Sequence, residues 1–558
     1  MKNSINTTKV AALKNFLLCA KLSKNFWEVN SLLKKFFVML AAIFFVTAHA
    51  HAETILFIPH DDRPVSAQQP AEVVKQLGYE ILMPPLEMLT KPDELWRWFN
   101  ENAVQADAAV VASDALLYGG LIPSRSHNIS QEDLFARVEN FKTLRQKYPL
   151  LNLYVFGSLM RTPGFGTPGD REEPDYYGTY GADIFHYTRL LDMRETDKLT
   201  KEQQYYLEAY EKNLPADIMN DWFGRREKNL SATKKLLDFA NDGIINFFVI
   251  GRDDNAPHSQ THRENLQLAA YMKKIGVDNT KAQSHAGIDE FAMLLLTRAV
   301  TDLSGYLPFV NVQFNRGTGA KTVPHYSDEK LGDSIRDEII IAGGLLVPTA
   351  KRADFVLLVN TDPKGNTFEI HNSLPPQVLT KRQQKYFRNN AKKFSEMVED
   401  AVKKNLPVGI ADVICANGSD NFLMEQLRKK NLLFKLQAYG GWNTATNTSG
   451  FVLGTGILAK KMSRSSIDRL LARRYLDDWA YQANVRTIIA GELAKRPDGL
   501  AVYLDFRHGG DEKAITAQET QLMREFAAKN LPPFDYLKTF TVTNPWHRMF
   551  ECQINFTE

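Results

Sequence analysis

The sequence is poor in cysteine, with three in 558 residues. Cys19 lies near the N-terminus, which leaves Cys415 and Cys552 in the body of the chain. Two cysteines so far apart in sequence cannot form a disulfide framework, and they are too few for a structural zinc site. A chain of this length can bury a core without either device. We therefore expect two buried, free thiols.

The sequence also lacks any apolar run of about 18 residues, the length that a membrane-spanning helix requires. It lacks a basic surplus as well, although the net charge is +3. Residues 1–52 hold seven lysines and one acid, so residues 53–558 hold 61 basic and 64 acidic side chains. A slightly acidic body gives no support for nucleic-acid binding, which needs a dense Lys/Arg face, so nucleic acid is not expected as a partner.

The N-terminal residues have the three parts of an export signal. Lys34 and Lys35 precede an apolar run at residues 36–47, and residues 48–52 contain two overlapping A-x-A sites. This order predicts a signal peptide over residues 1–52 that is cleaved after Ala52, and hence a periplasmic or extracellular protein without a stable membrane span. A start codon further in, an uncleaved anchor and an N-terminal core helix are the alternatives.

Short apolar runs alternate with helical stretches along the rest of the chain. Ten such runs predict strands, at residues 54–59, 79–83, 108–112, 153–157, 246–251, 309–314, 345–348, 355–359, 408–411 and 433–439. Continuous apolar strands separated by helices indicate the α/β class, with parallel sheet covered by helices on both faces.

A weak internal duplication predicts two similar βαβ halves. ADAAVVASD at residues 106–114 matches ADFVLLVNTD at residues 353–362, and each follows a glycine and a short strand that ends in proline. The predicted halves are residues 53–305 and residues 306–460; an elaborated β/α barrel is the alternative.

Three further segments complete the predicted organisation. Residues 161–183 are too rich in proline and glycine for regular structure, and a loop this long is commonly functional. A helical insertion is expected at about residues 184–242. Residues 461–558 are expected to form a helix and a small appendage, with strands at residues 501–506, 540–542 and 551–556.

The predicted strand ends are rich in carboxylates and amides, and ligands of parallel α/β folds bind at these ends. Asp289, Glu290 and Asp420 precede helices, where capping is the ordinary role. Capping does not readily explain the doublets Asp61-Asp62 and Asp253-Asp254, because adjacent carboxylates repel one another unless a cation, a proton or a ligand compensates. Arg63 and Arg252 stand beside the doublets and could compensate them.

Four segments together resemble a known family. They are FIPHDDRP at residues 57–64, SDALLYGGLIPSR at residues 113–125, GRDDNAPHS at residues 251–259 and AYGGWNTATNTSG at residues 438–450. The chain resembles the bacterial family called domain of unknown function 4127 over nearly all of residues 53–556. The resemblance implies no particular activity, so the function is inferred from the residues.

Carboxylates, amides and aromatic rings favour an exported bacterial hydrolase of the glycoside hydrolase type, since glycosidases need two carboxylates beside the scissile bond. Asp253 or Asp254 is the expected acid/base, and Asp61 or Asp62 the second carboxylate. The expected ligand is a carbohydrate or other small polyhydroxyl compound, and no cofactor is expected. The residues predicted to bind it are Arg63, Asp114, Arg125, Arg252, Asn255, Asp289, Asn360, Trp442, Asn443 and Asn447.

Two other functions remain open. His258 and His262 would share one face of a helix, and with His60 they could hold a divalent metal in a deacetylase or phosphoesterase. Two α/β halves around a cleft are also typical of non-catalytic solute- or envelope-binding proteins.

Overall fold

The structure is a computed structural model that describes residues 53–166, 171–370, 379–509 and 512–557. The predicted signal peptide lies outside the described residues. Both cysteines of the body are buried and free, as predicted. Among the described residues, none of the helices combines the length and the apolar character that crossing a bilayer demands.

Two parallel sheets form the centre of the molecule. The strands are β1 Thr54–Ile58, β2 Glu80–Leu82, β3 Ala108–Ala112, β4 Asn152–Leu159, β5 Phe247–Arg252, β6 Ala282–Ala286, β7 Phe309–Phe314, β8 Leu345–Leu346, β9 Phe355–Asn360, β10 Phe368–Glu369, β11 Val408–Asp412, β12 Cys415–Ala416, β13 Ala438–Gly440, β14 Thr541–Thr543 and β15 Gln553–Asn555. The first sheet has the order β2-β1-β3-β4-β5-β6 and the second the order β13-β11-β9-β7-β8. Two small ribbons pair β10 with β12 and β14 with β15.

The two sheets share one topology. Read from its other edge, the second sheet has the order β8-β7-β9-β11-β13. If its strands are numbered along the chain from β7, this order is second, first, third, fourth and fifth. The first five strands of the first sheet have the same order, β2-β1-β3-β4-β5. The matched sequence segments fall on β3 and β9, which are the third strand of each half. The predicted pair of βαβ halves is therefore confirmed, and the described residues contain no closed barrel. The boundaries at residues 305 and 460 stay predictions.

Helices cover both faces of the sheets. They are α1 Gln68–Lys75, α2 Pro92–Asn102, α3 Ser113–Tyr118, α4 Pro123–Ser126, α5 Gln131–Lys147, α6 Tyr177–Thr196, α7 Lys201–Asn213, α8 Ala216–Asn241, α9 Gln260–Ile275, α10 Phe291–Leu303, α11 Leu331–Ile341, α12 Lys381–Lys403, α13 Asn421–Lys429, α14 Ala445–Ala459, α15 Arg464–Arg474, α16 Arg486–Leu493, α17 Gly499–Leu504, α18 Glu512–Asn530 and α19 Tyr536–Thr539. A π-helical segment, Tyr475–Val485, joins α15 to α16.

Burial follows from the alternation of side chains along a strand. In β9, Leu357 and Val359 belong to the core shared by the two sheets, whereas Val356 and Leu358 belong to the core beneath the C-terminal helices. Both faces of this strand are therefore buried, which explains its continuous apolar sequence.

The predicted helical insertion is present as α6, α7 and α8 between β4 and β5, but it begins at Tyr177 rather than at residue 184. A Cβ at Gly181 would lie 2.4 Å from the ring of Tyr177, so this glycine makes room for a buried tyrosine inside the helix. The prediction that residues 177–183 are irregular is therefore wrong.

The C-terminal region matches the predictions in part. The helix expected within residues 461–558 is present as α15, the π-helical segment and α16, and β14 and β15 lie at the predicted final strands. The strand predicted at residues 501–506 is wrong, because α17 occupies Gly499–Leu504. Gly499 and Val502 of this helix are buried and Leu500 is exposed. The apolar residues of the segment therefore belong to a helix at the surface.

Candidate active site

A cleft with a cavity volume of about 270 Å³ lies where the carboxyl ends of both sheets meet the C-terminal region. Loops after β1, β3, β4, β5 and β6 contribute to it, as do loops after β7, β12 and β13. Its charged side chains are Arg63, Arg125, Arg161, Glu172, Asp253, Asp254, Asp289 and Arg548. Its amides and aromatic rings are Asn417, Asn443, Phe165, Tyr326, Tyr503, Trp546 and Phe550.

The doublet after β5 points into the cleft and is held by two arginines. Arg125 Nη2 donates to Asp253 Oδ2 at 2.6 Å, and Arg161 Nη1 donates to Asp254 Oδ2 at 2.9 Å. Glu172 lies between the two guanidinium groups, with Oε2 3.2 Å from Arg125 Nη1 and 3.0 Å from Arg161 Nη2. Two cations therefore compensate the adjacent carboxylates.

The backbone at the doublet is strained, because Asp254 has a φ of 37° in the left-handed region. A residue other than glycine reaches this conformation at a cost of roughly 1–3 kcal/mol, and such positions cluster at functional sites. The turn aims two consecutive carboxylates at two different arginines.

The carboxyl groups of the cleft differ in proton affinity. Burial and the charge of Asp253 raise the pKa of Asp254 to about 7, although Arg161 opposes the shift. Burial would raise the pKa of Glu172 too, but the charges of Arg161, Arg548 and Arg125 hold it well below its usual range. One cleft therefore holds a carboxyl that keeps its proton close to neutral pH beside a carboxylate that stays ionised, which is the pattern of acid/base sites.

The two carboxylates of the doublet after β1 lie in different places, Asp61 in the cleft wall and Asp62 at the rim. Asp61 is buried, accepts from Arg63 Nε at 2.9 Å and does not line the cleft. Arg63 also donates from Nη2 to Asp289 Oδ1 at 2.7 Å, and His60 Nε2 lies 3.2 Å from the same oxygen. Burial would raise the pKa of Asp289, but Arg63 and His60 lower it. Asp289 is thus a second ionised carboxylate of the cleft.

Trp546 links the C-terminal region to the rim. Its indole Nε1 donates to Asp62 Oδ1 at 2.6 Å. The guanidinium carbons of Arg63 and Arg548 lie 4.9 and 4.7 Å from its ring. These contacts fix the ring in the lining of the cleft.

Six of the predicted site residues meet in the cleft, and the others lie outside its lining. Those that meet are Arg63, Arg125, Asp253, Asp254, Asp289 and Asn443. Those outside the lining are Asp61, Asp62, Asp114, Arg252, Asn255, Asn360, Trp442 and Asn447.

Two charged residues outside the lining hold the loops that surround it. Arg252 Nε donates to Asp328 Oδ1 at 3.0 Å and its guanidinium also pairs with Glu329, so it does not compensate the neighbouring doublet as expected. Asp114 accepts from the backbone N–H of Ser158 at 3.0 Å and from its hydroxyl at 2.7 Å, which joins β3 to β4.

The amides and the tryptophan outside the lining are also enclosed. Asn360 donates to Asp412 Oδ1 at 2.8 Å, and Asn255 accepts from the Ser259 hydroxyl at 2.7 Å. Asn447 is buried in the first turn of α14, where its backbone N–H bonds Thr444 Oγ1 at 3.4 Å. Trp442 is 5% exposed and packs with its ring centroid 5.7 Å from that of Phe550, so it is a wall residue behind the cleft.

The capping prediction is confirmed for one residue and is wrong for two. Asp420 caps α13 by accepting from the N–H of Phe422 at 2.9 Å, as predicted. The side chains of Asp289 and Glu290 make no capping bond to α10, so that prediction is wrong for both. The carboxylate of Asp289 accepts from Arg63 instead.

The histidines predicted as alternative metal ligands lie in two places. His258 and His262 flank Asp192 of α6, whose Oδ2 is 3.4 and 2.7 Å from their Nδ1 atoms. His60 belongs to the cleft wall, where the charges of Asp61 and Asp289 overcome the effect of burial and raise its pKa to about 9. Because Arg63 occupies the space between Asp61 and Asp289, a cation already compensates that wall.

Several cleft residues were not predicted. Arg161, Phe165 and Glu172 belong to the proline- and glycine-rich loop, whose length was the available signal. Tyr326 follows β7 of the second sheet, and Asn417 follows β12 of the small β10-β12 sheet. Tyr503, Trp546 and Arg548 come from the C-terminal region, where no motif marks them.

The fold and the site define an α/β protein in which two parallel sheets of matching strand order carry a cleft lined by arginine and carboxylate side chains. A family model described as "Protein of unknown function (DUF4127)" matches residues 55–555. The chain belongs to this family, which confirms the resemblance noted in its motifs. The comparison with curated proteins found no match.

Proposed function

We propose that this protein is an exported hydrolase of the glycoside hydrolase type, with the cleft as its active site. The observation that carries the proposal is the meeting of Asp253, Asp254 and Asp289 in one cleft beside the ring of Trp546. These side chains come from two strand ends and from the C-terminal region. Cleavage of a glycosidic bond requires a pair of carboxyl groups, one as the acid and one as the base or nucleophile. The aromatic ring adds a surface for the sugar.

Asp254 is proposed as the general acid. Its pKa of about 7 lets it keep a proton for the leaving oxygen at neutral pH. Asp289 is proposed as the ionised carboxylate, acting as base or nucleophile, because Arg63 and His60 lower its pKa. Asp61 and Asp62, predicted for this second role, hold Arg63 and Trp546 instead.

The remaining lining suits a polyhydroxyl ligand. Asn417 and Asn443 offer both donors and acceptors for hydroxyl groups, and Tyr326 and Tyr503 add phenol groups. The guanidinium groups of Arg125 and Arg161 are occupied by Asp253, Asp254 and Glu172, so we assign them to positioning the carboxyl groups.

The proposal is tested with the purified protein on a panel of polysaccharides, peptidoglycan and aryl glycosides, with release of reducing ends or aryl alcohol as the readout. We expect Asp254→Asn and Asp289→Asn each to lower kcat by about 10²–10⁴-fold. Asp254→Asn should still bind the substrate in calorimetry. Asp221→Asn is the matched control, because Asp221 also pairs with an arginine, Arg225 at 2.8 Å, but lies outside the cleft lining.

Two results would contradict the proposal. Equal activity of Asp254→Asn and Asp221→Asn would remove the cleft from the reaction. Binding of a sugar by the wild type without turnover would favour the solute-binding alternative.

A metal-dependent hydrolase is the second candidate, and one observation favours it. Asp192, His258 and His262 place one ligand atom each within 4.8 Å of one another, and both histidines are partly exposed. However, Asp192 Oδ2 already accepts from the N–H of Ser259 at 3.2 Å and lies 2.7 Å from His262 Nδ1. Activity that is lost with a chelator and in His262→Gln, but not in Asp254→Asn, would favour this candidate.

A further inference from the structure

A second polar cluster lies where β6, α10 and α11 meet, and its side chains do not line the cleft. His285 is on β6, Glu290 immediately precedes α10 and Glu338 is on α11. All three side chains are fully buried. Three elements of the fold thus bring one imidazole and two carboxyl groups to one interior point.

The cluster is not satisfied by hydrogen bonds. Five of its buried polar atoms have no hydrogen-bond partner among the described residues. They are both carboxylate oxygens of Glu290, both ring nitrogens of His285 and Oε2 of Glu338. Leaving a buried ionised group without compensation costs several kcal/mol, so native proteins pair such groups or bind a metal with them.

The three ligand atoms lie within 4.8 Å of one another, and two of the distances are close to those of a metal ligand shell. His285 Nε2 lies 3.4 Å from Glu290 Oε1 and 3.7 Å from Glu338 Oε1. A tetrahedral ion with bonds of about 2.0–2.2 Å keeps its ligand atoms about 3.3–3.6 Å apart. A neutral histidine and two glutamates carry a charge of −2, which one divalent cation neutralises.

The surroundings orient these side chains from behind. The Ser449 hydroxyl donates to Glu338 Oε1 at 2.6 Å. The other ring nitrogen of His285, Nδ1, faces Glu329 Oε1 at 3.8 Å. Metal-bound imidazole and carboxylate groups are held by such outer partners, which fix their direction.

Two glycines make the room that Glu290 occupies. A Cβ at Gly287, whose φ is +113°, would lie 2.2 Å from Glu290 Oε1, and a Cβ at Gly450 would lie 2.7 Å from Glu290 Cβ. One glycine belongs to the loop after β6 and the other to α14. The fold therefore reserves the position of this carboxylate from two sides.

We propose that His285, Glu290 and Glu338 bind one divalent cation of the Zn²⁺ or Mn²⁺ class, which joins β6, α10 and α11. Nitrogen and carboxylate ligands suit these ions. We assign the site a structural role, because its three ligands are closed to solvent. The second carboxylate oxygen of Glu290 or of Glu338, each without a hydrogen-bond partner in the described part of the chain, would complete the four-coordinate shell. The cation would also fix the loop that carries Asp289 into the cleft.

The competing arrangement is an ion pair without metal, in which a protonated His285 faces one ionised and one protonated glutamate. Burial raises the pKa of Glu338 to about 7, which permits the protonated form. Such a pair would gain from short hydrogen bonds, and the contacts of His285 do not have that geometry. Metal content separates the two arrangements.

The experiment measures the metal content of the full-length protein by mass spectrometry, after purification without chelator and incubation with Zn²⁺ or Mn²⁺. We expect about one equivalent per chain in the wild type and less than a tenth in Glu290→Gln and Glu338→Gln. His262→Gln is the matched control, because it alters the separate cluster of Asp192, His258 and His262, and it should retain the equivalent. Ser449→Ala keeps all three ligands and should weaken binding about 10–100-fold.

A measurement on the wild type alone guards against variants that do not fold. Removal of the metal with a chelator should lower Tm, and adding Zn²⁺ or Mn²⁺ at about 100 times the Kd should restore it by about 2–5 °C. The proposal is overturned by a wild type without bound metal after incubation, by an unchanged content in folded Glu290→Gln, or by loss of the metal in His262→Gln.

Discussion

Arg63 binds Asp289 across 226 residues of sequence, with Nη2 2.7 Å from Oδ1. Arg63 follows β1 and Asp289 follows β6, so the bond joins two loops at the carboxyl edge of the first sheet. The same Nη2 atom also lies 2.7 Å from Asp61 Oδ2. One buried cation therefore keeps one carboxylate in the cleft and one behind it.

Replacing Arg63 by methionine should destabilise the protein strongly. The change leaves His60, whose pKa is raised to about 9, as the cation that faces the buried Asp61 and Asp289. Removing one partner of a buried ion pair in this way costs about 3–5 kcal/mol. The free energy of unfolding from urea denaturation measures the effect.

The exposed pair Arg336–Asp333, with side chains 56% and 54% exposed, provides the control. Arg336→Met should cost less than about 1 kcal/mol. Equal losses of unfolding free energy in the two variants would show that Arg63 stabilises the protein no more than an exposed arginine does.

Asp254 should make stability depend on pH. Its folded-state pKa of about 7 lies above the ordinary value of 3.8, so the folded protein binds an extra proton between about pH 4 and pH 7. The contribution of Asp254 to the free energy of unfolding therefore falls as the pH rises through this window. Asp254→Asn removes this dependence, and we expect it to exceed the wild type in Tm at pH 8 but not at pH 5.

Asp221→Asn is a control of opposite sign. Hydrogen bonds from Tyr176 and Arg225 lower the pKa of Asp221 despite its partial burial, so its contribution is present at higher pH and is lost in acid. The variant should therefore lose Tm at pH 8. A Tm difference between Asp254→Asn and the wild type that does not change with pH would contradict the assigned pKa of Asp254.

The sequence predicts most of this fold because strands buried on both faces have continuous apolar sequences, as in Phe355–Asn360. The edge strand Ala282–Ala286 was missed, because AQSHA has polar residues at its centre. The run at residues 433–439 was overextended, because Leu433–Lys435 forms a 3₁₀ turn and the strand begins at Ala438. Apolar composition alone does not separate a short strand from a buried turn.

The candidate site was predictable only where a strand end carried the chemistry. Asp253 and Asp254 were found because adjacent carboxylates at a strand end are unusual enough to need compensation. Arg161 and Arg548 were not found, because they reach the cleft from a long loop and from the C-terminal region. Neither residue carries a local pattern, and their roles depend on chain contacts such as Arg548 with Glu172.

Trp546 should contribute to substrate binding more than to the chemical step. Trp546→Ala removes the ring from the cleft, and loss of about 1 kcal/mol of stacking predicts about a 5-fold rise in KM with little change in kcat. Trp546→Phe keeps a ring but cannot donate to Asp62, so its KM should rise less. Steady-state kinetics on the substrate found in the panel provide the measurement, and a fall in kcat at constant KM in Trp546→Ala would contradict a binding role.

Ala50 should control export, because it belongs to both predicted cleavage sites. It is the last residue of the site at 48–50 and the first residue of the site at 50–52. Signal cleavage requires small residues at both positions, so Ala50→Phe should block the two sites together. N-terminal sequencing of the protein recovered from the periplasm or medium should find Glu53 first in the wild type and an uncleaved, membrane-associated chain in the variant. The conservative Ala50→Ser should be processed normally, and an N-terminus at residue 1 in the wild type would show that the segment is retained as an anchor.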